Sequence, residues 1–513
     1  MGRREFLIGA GGLASVGFSY TLSNRILPAE SIAKTKENLF SLGVASGDPS
    51  PDGFVLWTRL APDPLNGGGM PNQQVPVQWQ VATDEKMRRV VRQGTALAIA
   101  EYAHSVHVEV AGLKSARWYW YQFKVGSQLS PIGRTRTTPA IAARVNRLRF
   151  AFASCQNYEH GYYTAYRDMV KADLDFVVFL GDYIYEGAAK TGKPRQHNGP
   201  EAITLEQYRN RYALYKTDPD LQAAHAAFPW IVTPDDHEVE NNYADLIPAD
   251  NESQTVFTQR RADAYQAYYE HMPLRRSSLP KGFNIKLYRR FSFGDLAELS
   301  VLDTRQYRSN QPCGDGGKPR CSDAFAQTAT MTGSVQEQWL LQGLSQSESR
   351  WNVIAQQTMM AQFGIKAGSS TLYNLDQWDG YVAARNRLLK FLDERKPSNP
   401  IVITGDIHSS WVQNLKVNFD RPDSAIVATE FVGTSISSDF PKERIPFIQA
   451  ALSDNPHTQF FEGKHRGYVL CSVTPQEWRA DIRVVSTSLE PNGKVSTLAS
   501  FIVESGQPGA KQA

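Results

Sequence analysis

Apolar and polar positions change rhythm along this chain. From about Gly43 to Thr138, apolar side chains alternate with polar ones over short runs: Val75 to Val81, His107 to Val110, and the aromatic Trp118 to Phe123. Gly, Pro and Asp separate the runs. A period of two between turn residues predicts β-strands, and several in succession predict a small β-sandwich. From about Ile141 the runs become continuously apolar. Leu148 to Ala153 and Phe176 to Leu180 read as buried strands, and Glu298 to Asp303 and Pro400 to Asp406 as strands ending in aspartate. Helical stretches lie between them. Ile203 to Lys216 places Tyr208, Tyr212 and Tyr215 on one face, and Thr258 to His271 stops at Met272-Pro273. Strands alternating with helices predict an α/β layered domain. The pattern returns to strand at Ala480 to Val485 and Ala499 to Glu504, and the residues from Gly506 onward are expected to be disordered.

A length of 513 residues predicts two or more domains, and 41% hydrophobic content supplies ample core. The divisions expected are 1–33, 38–139, 145–490 and 491–513: leader, β-sandwich, catalytic domain, and a final strand with a disordered tail. A net charge of +3 is small for this size, and no basic stretch is interleaved with aromatics, so no nucleic-acid-binding module is expected. Arg3-Arg4 precedes an uncharged stretch from Ile8 to Ser23 that glycines dilute. A twin arginine before such a stretch reads as an address for the twin-arginine (Tat) export machinery, and the stretch is a poor membrane span. The protein is therefore expected to be periplasmic or secreted. In an oxidising compartment Cys313 and Cys321, in one Gly/Pro-rich loop, are expected to pair. Cys471 reads as a core thiol, and Cys155 is left without an obvious partner.

Four stretches end in side chains able to bind metal: Ser154-Cys155-Gln156, Gly181-Asp182-Tyr183-Ile184-Tyr185, Asp235-Asp236-His237-Glu238 and Gly405-Asp406-Ile407-His408. In an α/β sheet, ligands sit at the carboxyl ends of strands. Thiolate and phenolate donors favour a trivalent or soft ion, whereas hard divalent ions take carboxylates, carbonyls and water. Cys155, Asp182, Tyr185 and His408 therefore read as an iron site. Asp182, Asp236 and Asp406 read as a second, oxygen-rich site for Ca²⁺, Mg²⁺ or Mn²⁺, with Asp182 bridging the two. Paired metals suit phosphoryl transfer. Taken singly, each residue has a plainer reading. Asp235 or Asp236 could cap the turn that begins at Glu238, Cys155 could be an inert core thiol, and Tyr185 a packed aromatic.

Read in order, SCQ at 154–156, GDYIYE at 181–186, DDHE at 235–238 with Asn241-Asn242, LDTRQYR at 302–308 and GDIH at 405–408 make the chain resemble the PhoD-type alkaline phosphatases of the calcineurin-like metallophosphoesterase superfamily. Ser46-Gly47-Asp48-Pro49 and Leu56-Trp57-Thr58-Arg59 resemble that family's N-terminal β domain. The likeness covers roughly Phe40 to Glu504. It implies a four-layer α/β/β/α core beside an immunoglobulin- or fibronectin-like sandwich. It also implies Fe³⁺ with one or two Ca²⁺, and Mg²⁺ or Mn²⁺ as alternatives in the second site. The resemblance supports Cys155, Asp182, Tyr185 and His408 as iron ligands, with Asp236 and Asp406 hardening the second site towards Ca²⁺. It places His237 near the leaving-group oxygen. It puts the superfamily's remaining histidine ligand at Gln356 or Gln357, and Asn157, Arg305 and Tyr307 against the phosphate. The function implied is an exported phosphatase that attacks phosphate esters with metal-bound hydroxide, for phosphate acquisition. A phosphodiesterase or phospholipase D-like enzyme on the same site is the alternative.

Overall fold

The computed structural model describes residues 37–250 and 252–513, so the export signal expected at 1–33 lies outside the described residues. Two sheets face each other. The first has ten strands in the spatial order Gln507–Gln512, Val495–Glu504, Glu477–Val485, Arg466–Val473, Leu148–Ala153, Phe176–Phe179, Pro229–Val232, Val44–Ser50, Gly53–Arg59, Ser105–Val110. The second has seven: Arg289–Phe293, Ala297–Val301, Trp351–Ala355, Pro400–Thr404, Ile426–Val432, Ser410–Lys416, Thr458–Glu462. The middle strands of each sheet run parallel to their neighbours.

Parallel strands covered on both faces need apolar side chains at every position. Phe150, Phe152, Phe176, Val178 and Ile231 fill the space between the sheets with Phe293, Leu299, Val353 and Ile401. The alternate positions Ala151, Val177, Phe179 and Trp230 face the other way. They meet Tyr208, Tyr212 and Tyr215 of helix Leu205–Lys216 and Tyr265 and Tyr268 of helix Gln254–His271. On the far side of the second sheet, Ile354 and Val402 pack on Leu340 and Leu344 of helix Gly333–Gln346 and on Leu388 and Leu392 of helix Val382–Arg395. The layers are therefore α/β/β/α. The helices start where the sequence supplies caps. Thr204 and Gln207 form a reciprocal capping box, and Asp218 caps helix Pro219–Ala227 ahead of its first-turn proline.

The N-terminal sandwich is joined to this core more intimately than its sequence pattern implies. Its separate sheet contains Val90–Ala98, Val75–Ala82 and Trp118–Val125, with Gln128–Leu129 and Gly133–Arg136 both pairing to the last of these. Its other sheet is the edge of the ten-stranded sheet itself. Ser46 and Gly47 pair in parallel with Pro229 and Trp230. A side chain at position 47 would put a Cβ 2.6 Å from the carbonyl oxygens of both Pro273 and Trp230, so the seam requires glycine.

The tail corrects the reading of disorder. Gln507–Gln512 is a strand paired with Val495–Glu504, and the Gly509 and Ala510 N–H groups donate to Thr429 Oγ1 and Asn414 Oδ1 of the second sheet. Ala510 enters the inter-sheet core. A single buried alanine, ladder bonds and two side-chain acceptors on the second sheet hold this strand, which is why its polar composition concealed it. Cys313 and Cys321 form a disulfide, and Cys471 is buried between the sheets.

Phe176 stacks on Phe150 at 4.8 Å and on Phe293 at 4.4 Å, and so links the two sheets. Phe176→Ala is expected to cost about 3–5 kcal/mol of stability in denaturant unfolding. A loss below about 1 kcal/mol would mean that the sheets are not held by this stack.

Candidate metal centre

The carboxyl ends of the parallel strands from both sheets converge on one acidic cleft. Cys155 follows strand 148–153, Asp182 follows 176–179, Asp236 follows 229–232, and Asp406 and His408 follow 400–404. Each strand must turn sharply to aim its ligand. Cys155, Asp182, Asp406 and His408 all take left-handed backbone, with φ of 60°, 56°, 65° and 54°. Non-glycine residues there cost on the order of 1–3 kcal/mol each and cluster at functional sites.

The side chains fall into three overlapping groups whose potential ligand atoms lie within 4.8 Å of one another: Cys155, Asp182 and His408; Asp182, Asp236 and His237; Asp235, Asp236 and Asp406. Asp182 and Asp236 are each shared by two groups. Tyr185 Oη donates to Asp182 Oδ2 at 2.8 Å and lies 2.9 Å from His408 Nε2. His408 Nδ1 donates to the Asp439 carbonyl at 2.8 Å, which leaves Nε2 as the nitrogen with a lone pair facing the cluster. Ser438 Oγ sits 2.7 Å from Tyr185 Oη and 2.8 Å from the Cys155 carbonyl.

The electrostatics are those of a cation site. Asp182 Oδ1, Asp235 Oδ2 and Asp236 Oδ1 are buried without a hydrogen-bond partner. Two carboxylates within 4.8 Å of each other repel by at least about 3 kcal/mol at an effective dielectric near 20. Burial, then the neighbouring acids against the pull of Arg305, pushes Asp235 and Asp236 above the usual carboxylate range. Burial and the Asp182 charge likewise hold the Cys155 thiol and the Tyr185 phenol protonated far above their ordinary range. A cation between them reverses each of these effects, and the donors present suit one. His237 differs. Burial alone would lower it, but Glu186, Asp182 and Asp236 raise it well above the ordinary histidine range. Its Nδ1 lies 2.7 Å from Glu186 Oε2 and its ring sits 4.1 Å from that of Tyr185. The His237 and His408 side chains are 20% and 22% exposed and mark the open side of the cleft.

The residues expected to touch phosphate fare differently. Asn157 is beside the cluster, but its Oδ1 accepts the Glu159 N–H and its own N–H goes to Ser438 Oγ. Arg305 is buried against carboxylates rather than turned to a substrate. Its guanidinium bonds Asp235, reaches Asp376 Oδ2 at 2.7 Å and Asp406 Oδ1 at 3.0 Å, and lies 3.6 Å from Asp236. Tyr307 lies elsewhere: its ring packs on Tyr288 and its hydroxyl points at the Ile285 carbonyl. Gln357 Oε1 accepts from the Thr304 N–H and Oγ1, and its Nε2 donates to Thr233 Oγ1 and the Leu302 carbonyl. Gln356 is engaged by Trp378 and Thr404. Both amides are spent on the scaffold. Asp236 makes its own turn, accepting the Asn242 N–H on Oδ2 at 2.6 Å.

Ser438, Asp376 and Gln377 also belong to the site, the last through its amide on Asp406 Oδ2. Ser438 lies in a short polar run after an apolar strand, and that run was the only signal available in the sequence.

The PhoD-like phosphatase family matches residues 150–482, and the N-terminal domain of PhoD-like phosphatases matches residues 27–139. Alkaline phosphatase D of Bacillus subtilis (strain 168) is 51% identical over 518 residues, which span 99% of this chain and 89% of that protein. A solved structure of PhoD superposes with a TM-score of 0.90 at 52% identity, covering 94% of this chain and 93% of its own.

Arg305→Met would leave Asp235 buried without a guanidinium and Asp376 with that of Arg308 alone. It is expected to cost about 3–5 kcal/mol, read as a lowered unfolding midpoint. An unchanged midpoint would show that Arg305 is not the counter-charge of this cluster.

Proposed function

The chain belongs to the PhoD-like phosphatase family, and from that membership we propose that it is an exported, metal-dependent alkaline phosphatase acting on phosphate monoesters. The observation that carries the reading is the overlap of three buried ligand groups at Asp182 and Asp236, with unpartnered carboxylate oxygens facing one another. Cys155, Asp182, Tyr185 and His408 would hold Fe³⁺. Asp182, Asp236 and Asp406 would hold Ca²⁺, with Mg²⁺ or Mn²⁺ as substitutes. The first set offers thiolate, phenolate and imidazole, the second oxygens alone, and this difference supports the assignment. Bound there, the ions would supply an acidified water and neutralise charge on the phosphoryl oxygens.

The chain's own part is positioning and proton handling. His237 has Nδ1 engaged by Glu186, so Nε2 is the nitrogen left to give a proton to the departing ester oxygen. Ser438 and Asp439 set the orientation of Tyr185 and His408. Arg305 offsets part of the carboxylate charge from within and takes no place against the substrate. Export by the twin-arginine route, for phosphate acquisition outside the cytoplasm, is supported by Arg3-Arg4 and by the Cys313–Cys321 disulfide, a bond suited to an oxidising compartment.

Metal analysis of the folded protein by plasma mass spectrometry is expected to give iron and calcium. Zinc or manganese alone would remove the iron assignment of Cys155 and Tyr185. Asp182→Ala is expected to lose bound metal and at least about 100-fold in kcat, since removing even an outer partner of a ligand costs 10- to 100-fold. Retained activity would sink the site. p-Nitrophenyl phosphate should be turned over faster than its bis ester, and the reverse ranking would favour a diesterase. Glu186→Gln removes a charge that keeps His237 protonated, so the alkaline limb of kcat should move to lower pH. An unmoved limb would remove His237 as the acid.

A further inference from the structure

We propose that Glu238 is a positioning residue for this centre: its carboxylate pins the loop carrying Asp182 to the loop carrying Asp236 and so fixes the spacing of their ligands. The inference rests on the phosphatase reading above. Glu238 is completely buried. Its Oε2 accepts the N–H groups of Asp182 at 3.1 Å and Asp235 at 2.7 Å, and its Oε1 accepts that of Tyr183 at 2.5 Å. The donors come from two loops that leave neighbouring parallel strands, so one side chain spans both.

Three features set this contact apart from ordinary core satisfaction. The Asp182 and Tyr183 N–H groups are successive, in a turn made left-handed by Gly181 at φ 102° and Asp182 at φ 56°. Successive N–H groups in such a turn form a concavity for an anion, and here Glu238 fills it. The turn that Glu238 holds is the one that aims the Asp182 carboxylate at the cleft. Second, the loops touch back to back: a Cβ on Gly181 would lie 2.3 Å from Asp235 Cβ. Small shifts in one loop therefore pass directly to the other. Third, every hydrogen-bond partner of Glu238 is a donor. A glutamine oxygen could take two of the three, but its NH₂ would face the third N–H. Glu238 hydrogen-bonds only backbone groups and is wholly shielded from the cleft, so it acts through Asp182 and Asp236. Arg305, bonded to Asp235 from the other side, completes the clamp on the second loop.

The test uses Glu238→Gln in the full chain. The readouts are metal affinity by titration of the metal-free protein with Ca²⁺ and with Fe³⁺ in citrate, kcat and KM on p-nitrophenyl phosphate, and the unfolding midpoint with and without metal. The expected result is metal binding weakened about 10- to 100-fold, a comparable loss in kcat, KM within about twofold, and partial recovery of kcat in excess metal. A purely structural glutamate would lower the midpoint equally with and without metal and leave affinity and kcat near wild type; that result would overturn the proposal. Should the variant fail to fold, hydrogen exchange on the metal-loaded wild-type protein decides. The Asp182, Tyr183 and Asp235 amides are expected among the slowest in the chain, and fast exchange at any of them would overturn it. Absence of phosphatase activity in the wild-type protein would instead count against the phosphatase reading, leaving the affinity comparison to judge Glu238 by itself.

Discussion

Mutual repulsion of buried carboxylates is the constraint to which the rest of the molecule answers. Asp235, Asp236, Asp376 and Asp406 crowd around one guanidinium, that of Arg305, with Arg308 reaching only Asp376 among them. Two guanidiniums cannot balance four carboxylates, and the unpartnered oxygens show where compensation is missing. Such an arrangement persists only if the surrounding structure holds it against its own electrostatics. The four-layer core does so by fixing both strand ends of the cleft between large apolar cores.

The same constraint explains the local strain. Four candidate ligand positions take left-handed backbone without being glycine, each at a cost of on the order of 1–3 kcal/mol, up to that of one carboxylate–carboxylate repulsion. The backbone amides released by these turns do not go to waste on solvent. The Asp182 and Tyr183 N–H groups turn inward to Glu238, while the carboxylate of Asp182 turns to the cleft. The hydrogen bonds of the turn to the buried Glu238 carboxyl offset part of its strain.

Much of this was legible before any coordinates. Continuous apolar runs ending in Asp at 182 and 406 gave the parallel strands and their catalytic end, because strands covered on both faces have no polar side to display. The candidate ligand residues share the cleft because motif residues at carboxyl ends of parallel strands have nowhere else to go. What escaped were side chains whose role depends on partners far away in sequence. Tyr307 and Gln357 are polar residues in motif-like stretches, and nothing local revealed that Ile285, Thr304 and Thr233 would claim them. Arg305 looked free to meet phosphate because the acids that hold it come from three other loops. The strand at 507–512 was hidden for the same reason: it is held through its own main-chain groups, by strand 495–504 and by Thr429 and Asn414, and main-chain groups carry no compositional signature.

The shared sheet has a consequence for the order in which this chain can acquire its structure. Its ten strands come from residues 44–110, from 148–232 and from 466–512, so the central strand 148–153 has one neighbour close in sequence and the other near the chain's end. A growing polypeptide can assemble the separate sheet of the sandwich and the second sheet's hairpins early. The central sheet, and with it the wall that carries Cys155, closes only when the last segment arrives. Until then one hydrogen-bonding edge of strand 148–153 stays unpaired, which makes late synthesis the interval of greatest exposure to misassociation.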